Sequence, residues 1–195
     1  SHTEEMLIEC GADITVHRVG PGLVVRLRPS RLRPLDVDVP GDPSQAAFWV
    51  VAAVITPGSD VVVENVYVGP GRAGFIDVLL RMGARIELEN RRGQVADIRA
   101  RHSPLTATSV GGQEVPSLVD EIPALAVAAS VADGSTTFRD AAELRVKETD
   151  RVASIASELS ALGARVEPLS DGLVVQGGKP SSGGTANSHG DHRIA

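Results

Sequence analysis

The sequence has little cysteine, no long apolar run and no excess of positive charge, and each absence excludes a class of protein. Its one cysteine, Cys10, cannot form an internal disulfide, which is typical of a reducing, cytoplasmic compartment. The apolar runs are broken by proline or glycine within about a dozen residues, so no membrane-spanning helix is predicted. A formal net charge of −6 leaves no basic surface for nucleic acid.

The ends of the chain predict a piece of a longer protein. The 195 residues are enough for one hydrophobic core or one and a half. Ser1 begins a helical pattern without an initiator methionine, and Ala195 lies in an apolar segment that is only starting.

The first 38 residues predict one short helix and two strands. Ser1 to Glu4 has the S-x-x-E pattern of a capping box, and the helix ends at Gly11. Cys10 lies on the apolar stripe of this helix, so we expect a buried thiol and not a nucleophile. Strands over residues 13–17 and 23–27 follow, with a turn at residues 20–22 between them.

The next segment predicts a buried helix followed by strand, amphipathic helix and strand. Asp42 is a good N-cap, and Pro43 suits the first helical position. Residues 46–55 are apolar on every side, so we expect this helix to be buried all round. A valine-rich strand (60–68), an amphipathic helix (71–82) and a strand (85–89) complete the segment.

The same order of elements then recurs at a period of roughly 70–80 residues. Asp120 precedes a second buried helix (122–132), and a second amphipathic helix begins near Asp150. Asp191 stands where we expect a third buried helix to start. Helices that are apolar on every face must be surrounded, and sheets are the natural outer wall.

A dense run of ionisable side chains, residues 144–151, comes just before the second amphipathic helix. It places Arg151 in the first helical turn, where the helix dipole favours acidic residues. A positively charged side chain in this position suggests that Arg151 binds a ligand. The alternative is a solvated loop with local ion pairs.

Two other motifs predict function less well. Residues 69–74 have the G-x-G-x-x-G form of a dinucleotide-binding loop, but the buried helix before them does not fit a Rossmann unit, so a tight turn is the better interpretation. The cluster at residues 189–192 lacks a zinc-like spacing. The Ser- and Gly-rich residues 181–184 predict a loop.

Residues 145–151, RVKETDR, resemble the RVKE[ST]DR signature of the 5-enolpyruvylshikimate-3-phosphate (EPSP) synthase family. The motifs at residues 39–44, 120–123 and 191–193 extend the resemblance over nearly the whole chain. It implies an α/β fold of the inverse α/β prism type, with buried helices inside and sheets outside. Residues 1–38 would end one lobe, and residues 39–195 would form most of the second.

The resemblance also implies a reaction and five site residues. The reaction transfers the enolpyruvyl group of phosphoenolpyruvate to the 5-hydroxyl of shikimate 3-phosphate, through addition and then elimination. Paired acid–base groups are needed because one proton is lost and one is gained. Asp120 and Glu148 match the proton-transfer residues, and Asp120 also contacts the shikimate. Lys147 matches a shikimate 3-phosphate ligand, and Arg151 and Arg193 match the phosphoenolpyruvate ligands.

The family further implies no metal or organic cofactor, and we expect a monomer at full length. Its Lys-Ser and Ser-x-Gln motifs lie outside these residues, so we expect about half a site and no activity from the chain alone. The alternatives are UDP-N-acetylglucosamine enolpyruvyl transferase and a non-catalytic binding module of the same fold. The role of Glu143 stays open, and His192 is expected to be structural.

Overall fold

The computed structural model describes residues 2–20, 22–178 and 183–195, and the chain divides into two compact units, residues 1–39 and 40–195. The predicted capping residue Ser1, the turn residue Pro21 and part of the predicted loop at residues 181–184 lie outside the described residues. The assignment of the two units to two lobes stays a prediction.

The first unit is a helix followed by a hairpin. Helix α1 (His2–Glu9) precedes strands β1 (Asp13–Val19) and β2 (Gly22–Arg28), which pair antiparallel. Cys10 follows the end of α1 and is partly exposed, so the prediction of a buried thiol is wrong. The reason is that none of the described side chains of this unit is buried, so an apolar stripe here has no core to enter.

The second unit contains both predicted repeats. Its elements are α2 (Pro43–Ile55), β3 (Asp60–Tyr67), α3 (Gly74–Arg81), β4 (Arg85–Arg92), β5 (Val95–Arg101), β6 (Ser109–Val110), α4 (Ile122–Val131), β7 (Ser135–Phe138), α5 (Arg151–Ala161), β8 (Arg165–Leu169) and β9 (Gly172–Gln176). Short 3₁₀ turns precede α4 and α5. The order of apolar helix, strand, amphipathic helix and two strands is confirmed in both repeats.

The two sheets share one strand order, except that the second has an extra edge strand, β6. The first runs β3-β5-β4 and the second β6-β7-β9-β8, and in each repeat the last strand pairs antiparallel with the two others. A dinucleotide-binding unit needs neighbouring parallel strands, so the glycine-rich residues 69–74 do not form one. They form a turn that leads into α3, whose first residue is Gly74, as expected.

Helices α2 and α4 pack against each other, and each packs against the sheet of its own repeat. The α/β fold with buried helices inside is confirmed. Helix α4 is buried except at Val127 and Val131, but Trp49 of α2 is 66% exposed. The prediction that α2 is buried all round is therefore wrong. An apolar helix face is suited to burial, but the sequence does not show whether another element packs against it.

Candidate active site

Arg151 is the first residue of α5 and is only 1% exposed. Its Nε donates to Asp191 Oδ2 at 2.8 Å, its Nη1 to Asp120 Oδ1 at 3.0 Å, and its Nη2 to Glu148 Oε2 at 2.6 Å. A guanidinium removed from water needs carboxylate partners, because its desolvation costs several kcal/mol. The alternative of a solvated loop is therefore wrong for Arg151. The predicted helix start is confirmed, since the Asp150 side chain caps α5 by accepting from Ala153 N.

Asp191 is the buried counter-charge of Arg151. It accepts from Arg151 through both carboxylate oxygens, from Thr149 Oγ1 at 3.0 Å and from Arg193 N at 2.9 Å. Burial alone would raise the pKa of Asp191, but the hydrogen bonds, led by that from Arg151, lower it to about 2. Residues 192–194 form a turn, and the third helix stays a prediction.

Asp120 lies in the 3₁₀ turn Val119–Glu121 and does not cap α4 as Asp42 caps α2. Its Oδ1 instead lies 3.0 Å from Arg151 Nη1 and 3.4 Å from Lys147 Nζ. Burial raises the pKa of Asp120, but the positive charges, Lys147 first, outweigh it and lower the pKa. The lowered pKa keeps Asp120 ionised, and the exposed third of its side chain leaves it accessible to a ligand.

Lys147 lies between two carboxylates. Its Nζ is 2.5 Å from Glu143 Oε1, and this hydrogen bond is the main cause of the raised pKa of Lys147. The role of Glu143 that the sequence left open therefore includes holding Lys147. Glu148 is the most accessible partner of Arg151, with half of its side chain exposed.

Arg193 is 9% exposed, and its Nη1 has no hydrogen-bond partner, the one such buried side-chain atom within the described ranges. Its Nη2 lies 3.9 Å from Asp42 Oδ2. A buried donor without a partner is costly, so Arg193 suits an anionic ligand that would complete its hydrogen bonds. His192 is exposed.

A cavity of about 240 Å³ opens beside Asp120, Glu143 and Lys147. Its polar lining includes Arg72, Asp120, Glu121, Glu143 and Lys147. Both signs of charge thus face one cavity, which can hold an anionic ligand and move a proton to or from it.

The structure brings the five predicted site residues together within the second unit. Asp120 and Glu148 contact Arg151 directly, Lys147 contacts Asp120, and the Arg193 backbone N–H joins them through Asp191. The sequence did not predict that Asp191 pairs with Arg151, or that Arg72 and Glu121 line the cavity. The signal for Asp191 and Glu121 was only their place in the motifs at residues 191–193 and 120–123, and Arg72 lay in the glycine-rich stretch.

Two features are absent from the described residues. No group of three or more His, Cys, Asp or Glu side chains in that part of the chain is arranged to hold a metal ion. No helix there is long and apolar enough to cross a membrane.

Comparison with known proteins gives one consistent family. The family model described as EPSP synthase (3-phosphoshikimate 1-carboxyvinyltransferase) matches residues 1–195. The 3-phosphoshikimate 1-carboxyvinyltransferases of Syntrophomonas wolfei and Roseiflexus sp. (strain RS-1) are 52% and 49% identical to the chain. Each alignment covers 100% of the chain and 46% of the relative, so the chain spans about half the length of these relatives.

Solved structures agree with the sequence comparison. EPSP synthase from Acinetobacter baumannii is 38% identical with a TM-score of 0.87, over 100% of this chain and 46% of that one. The enolpyruvyl transferase NikO from Streptomyces tendae is 26% identical with a TM-score of 0.69, over 92% and 40%.

Proposed function

We propose that this chain, which belongs to the EPSP synthase family, supplies part of the site that transfers the enolpyruvyl group of phosphoenolpyruvate to the 5-hydroxyl of shikimate 3-phosphate. The observation that carries the proposal is that Arg151 holds the carboxylates of Asp120 and Glu148 on one guanidinium. Two carboxylates beside one cation, with Lys147 and Arg193 close by, match a reaction of two anions that needs one proton removed and one supplied.

Each proton-transfer residue has a distinct environment. Asp120, kept ionised by Lys147 and Arg151, would accept the proton of the 5-hydroxyl as that oxygen bonds to C2 of phosphoenolpyruvate. Glu148, more exposed, would exchange the proton that the methylene carbon gains and then loses as phosphate leaves. Glu148 would enter the addition step protonated and would recover a proton from the methyl group at elimination. The proton held by Asp120 would pass to the departing phosphate, so the steps balance without a metal or an organic cofactor.

The cations would hold the two substrates. Lys147 would bind shikimate 3-phosphate, and Arg193, with its unpartnered Nη1, would bind the carboxylate or phosphate of phosphoenolpyruvate. Arg151 already donates to three carboxylates, so we expect phosphoenolpyruvate to displace Glu148, the most exposed of them, from its Nη2. This displacement would free Glu148 for proton transfer.

The test is a hybrid in which residues 1–195 replace the aligned segment of the Syntrophomonas wolfei relative. We expect the hybrid to release phosphate from phosphoenolpyruvate only with shikimate 3-phosphate present, and the chain alone to release none. Glu148→Gln in the hybrid should lower kcat by roughly 10²–10⁴-fold, the usual range for a general acid or base. KM should change much less, because the lost interaction forms mainly in the transition state.

Glu167→Gln is the matched control, since Glu167 is an exposed glutamate on β8. It should leave kcat within a few-fold. A hybrid without phosphate release, or a Glu148→Gln hybrid with normal kcat, would contradict the proposal.

Two alternatives have their own outcomes in this assay. Phosphate release with UDP-N-acetylglucosamine in place of shikimate 3-phosphate would support the alternative of a UDP-N-acetylglucosamine enolpyruvyl transferase. A hybrid that binds phosphoenolpyruvate without turnover would support a binding module. A cytoplasmic location and a monomeric full-length protein belong to the same proposal.

A further inference from the structure

A chain of hydrogen bonds joins Arg72, Ser44 and Glu121, which the proposed chemistry does not use. Arg72 Nη2 donates to Ser44 Oγ at 2.9 Å, and Ser44 Oγ donates to Glu121 Oε1. Ser44 is 1% exposed and Glu121 3%. The three residues come from the first turn of α2, the turn ahead of α3 and the 3₁₀ turn ahead of α4, so the chain of hydrogen bonds fixes three elements at one point.

The Ser44 hydroxyl sets the direction of these hydrogen bonds. A hydroxyl has one proton and can also accept, whereas a guanidinium only donates. Ser44 must therefore accept from Arg72 and use its proton for Glu121. Burial raises the pKa of Glu121, and the hydrogen bond from Ser44 opposes this rise. A buried carboxyl without that partner would be costly, so the two side chains hold each other in place.

The position of Glu121 determines the position of Asp120, because both belong to the three-residue turn Val119–Glu121. The two side chains reach different partners, Glu121 to Ser44 and Asp120 to Lys147 and Arg151. If the carboxylate of Glu121 is fixed, the turn cannot rotate, and Asp120 stays directed toward Lys147.

The same end of α2 also faces Arg193. Asp42 Oδ1 accepts from Ser44 N at 3.1 Å and from Arg72 Nη2 at 3.4 Å, while its Oδ2 lies 3.9 Å from Arg193 Nη2. The first turn of α2 is therefore linked to both a proposed proton-transfer residue and a proposed phosphoenolpyruvate ligand.

We propose that the Arg72–Ser44–Glu121 chain of hydrogen bonds is a positioning device for Asp120. It holds the turn that carries Asp120 against the first turn of α2 and so sets the distance from the Asp120 carboxylate to Lys147. Glu121 moves no proton in the reaction and acts only through its hydrogen bond. All the residues that position Asp120 belong to this chain, so the positioning can be measured in it. The effect of the positioning on turnover rests on the proposed function.

The first test measures the pKa of Asp120 by carboxyl carbon NMR in the 195-residue chain. Ser44→Ala should raise the pKa of Asp120 toward its ordinary value, because the turn loosens and Lys147 moves away. Ser103→Ala is the matched control: Ser103 is 4% exposed, donates to Arg101 O and accepts from Arg85 N, and its own N–H donates to Val54 O at the opposite end of α2 from Ser44. It should leave the pKa of Asp120 unchanged. A folded Ser44→Ala chain with an unchanged Asp120 pKa would overturn the proposal.

Two variants of Glu121 decide the question even if Ser44→Ala does not fold. Glu121→Ala removes the hydrogen bond and a neighbouring negative charge. If positioning dominates, the pKa of Asp120 rises, whereas the loss of the charge alone would lower it. Glu121→Gln keeps an oxygen that can accept from Ser44, so it should cause no rise. A fall with Glu121→Ala, or a rise with Glu121→Gln, would contradict the proposal.

The second test is kinetic and uses the hybrid. Ser44→Ala and Glu121→Ala should lower kcat/KM for shikimate 3-phosphate by about 10–100-fold, since an error of about 1 Å in position can cost this much. Glu121→Gln should leave kcat/KM for shikimate 3-phosphate within a few-fold of the value for the unmodified hybrid. A decrease as large as that of Glu121→Ala would mean that Glu121 transfers a proton, and it would overturn the proposal. An unmodified hybrid without activity would refute the proposed function, while the NMR result would still decide the positioning.

Discussion

At the scale of single residues, Arg151 shows how a cation can stand in the first turn of a helix. The helix dipole disfavours it there by about 0.3–1 kcal/mol at an exposed site. Contacts with Asp120, Glu148 and Asp191 at 3.0 Å or less outweigh this cost. The motif therefore places Arg151 where it gathers the carboxylates of the site.

Replacing Arg151 tests this role. Arg151→Met should lower the free energy of unfolding by about 3–5 kcal/mol, because it leaves Asp191 buried without its cation. Arg99→Met is the control: Arg99 also pairs with an aspartate, Asp60, at 2.6 Å, but a third of its side chain is exposed. Its loss should cost much less, since surface ion pairs contribute little. Urea unfolding measures both, and equal losses would contradict the role of Arg151.

Asp191 should make stability depend on pH. Its pKa is lowered from 3.8 to about 2 in the folded chain, so the folded state binds its proton less tightly than the unfolded state. The stabilisation is thus complete above about pH 4 and is lost as the pH falls toward 2. Asp191→Asn should remove on the order of 2 kcal/mol above about pH 4 and flatten the profile below it.

Urea unfolding over this pH range checks the effect of Asp191. Asp60→Asn is the control, because Arg99 also lowers the pKa of Asp60 to about 2, but Asp60 is well exposed. We expect Asp60→Asn to change the free energy of unfolding less than Asp191→Asn does. Parallel pH profiles for the unmodified and Asp191→Asn chains would show that Asp191 is not the group responsible.

At the scale of elements, the sequence predicted the kinds of elements better than their contacts. The spacing of apolar residues changes between strands and helices, and this change predicted the elements of both repeats. The spacing is a local property, so the sequence alone shows it. The direction of the Asp120 side chain could not be predicted in this way. By analogy with Asp42 it should cap a helix, and it does not, because Arg151 and Lys147, about thirty residues further along, attract it.

The start of β9 is an element contact that a substitution can test. A Cβ on Gly172 would lie 2.0 Å from the carbonyl oxygen of Phe138, at the end of β7. Because backbone must shift to make room, Gly172→Ala should destabilise the chain by about 1–3 kcal/mol. Gly71→Ala is the control, with no atom within 4 Å of the added carbon. Thermal unfolding compares the two, and equal stability would mean that the strands separate without cost.

At the scale of the whole molecule, the proposed site residues and the hydrophobic core belong to one unit. Every residue of the buried core cluster lies between Ala46 and Val175. The five proposed site residues also lie in residues 40–195. The motifs predicted which residues belong to the proposed site, because each motif is local. They could not predict that buried Asp191 and Ser44 support it, because burial depends on contacts between distant segments.

The second unit should therefore fold without the first. Residues 40–195 contain the whole core cluster, so we expect them to unfold cooperatively in urea with most of the free energy of the full chain. Residues 1–39 are the control: they have no buried described side chain, and chains below about 40 residues rarely fold alone, so circular dichroism should show little structure. The pKa of Asp120 should stay lowered in the 40–195 fragment, because Lys147 and Arg151 are both retained. A fragment that unfolds without cooperativity, or in which the Asp120 pKa returns to its ordinary value, would show that the site depends on residues 1–39.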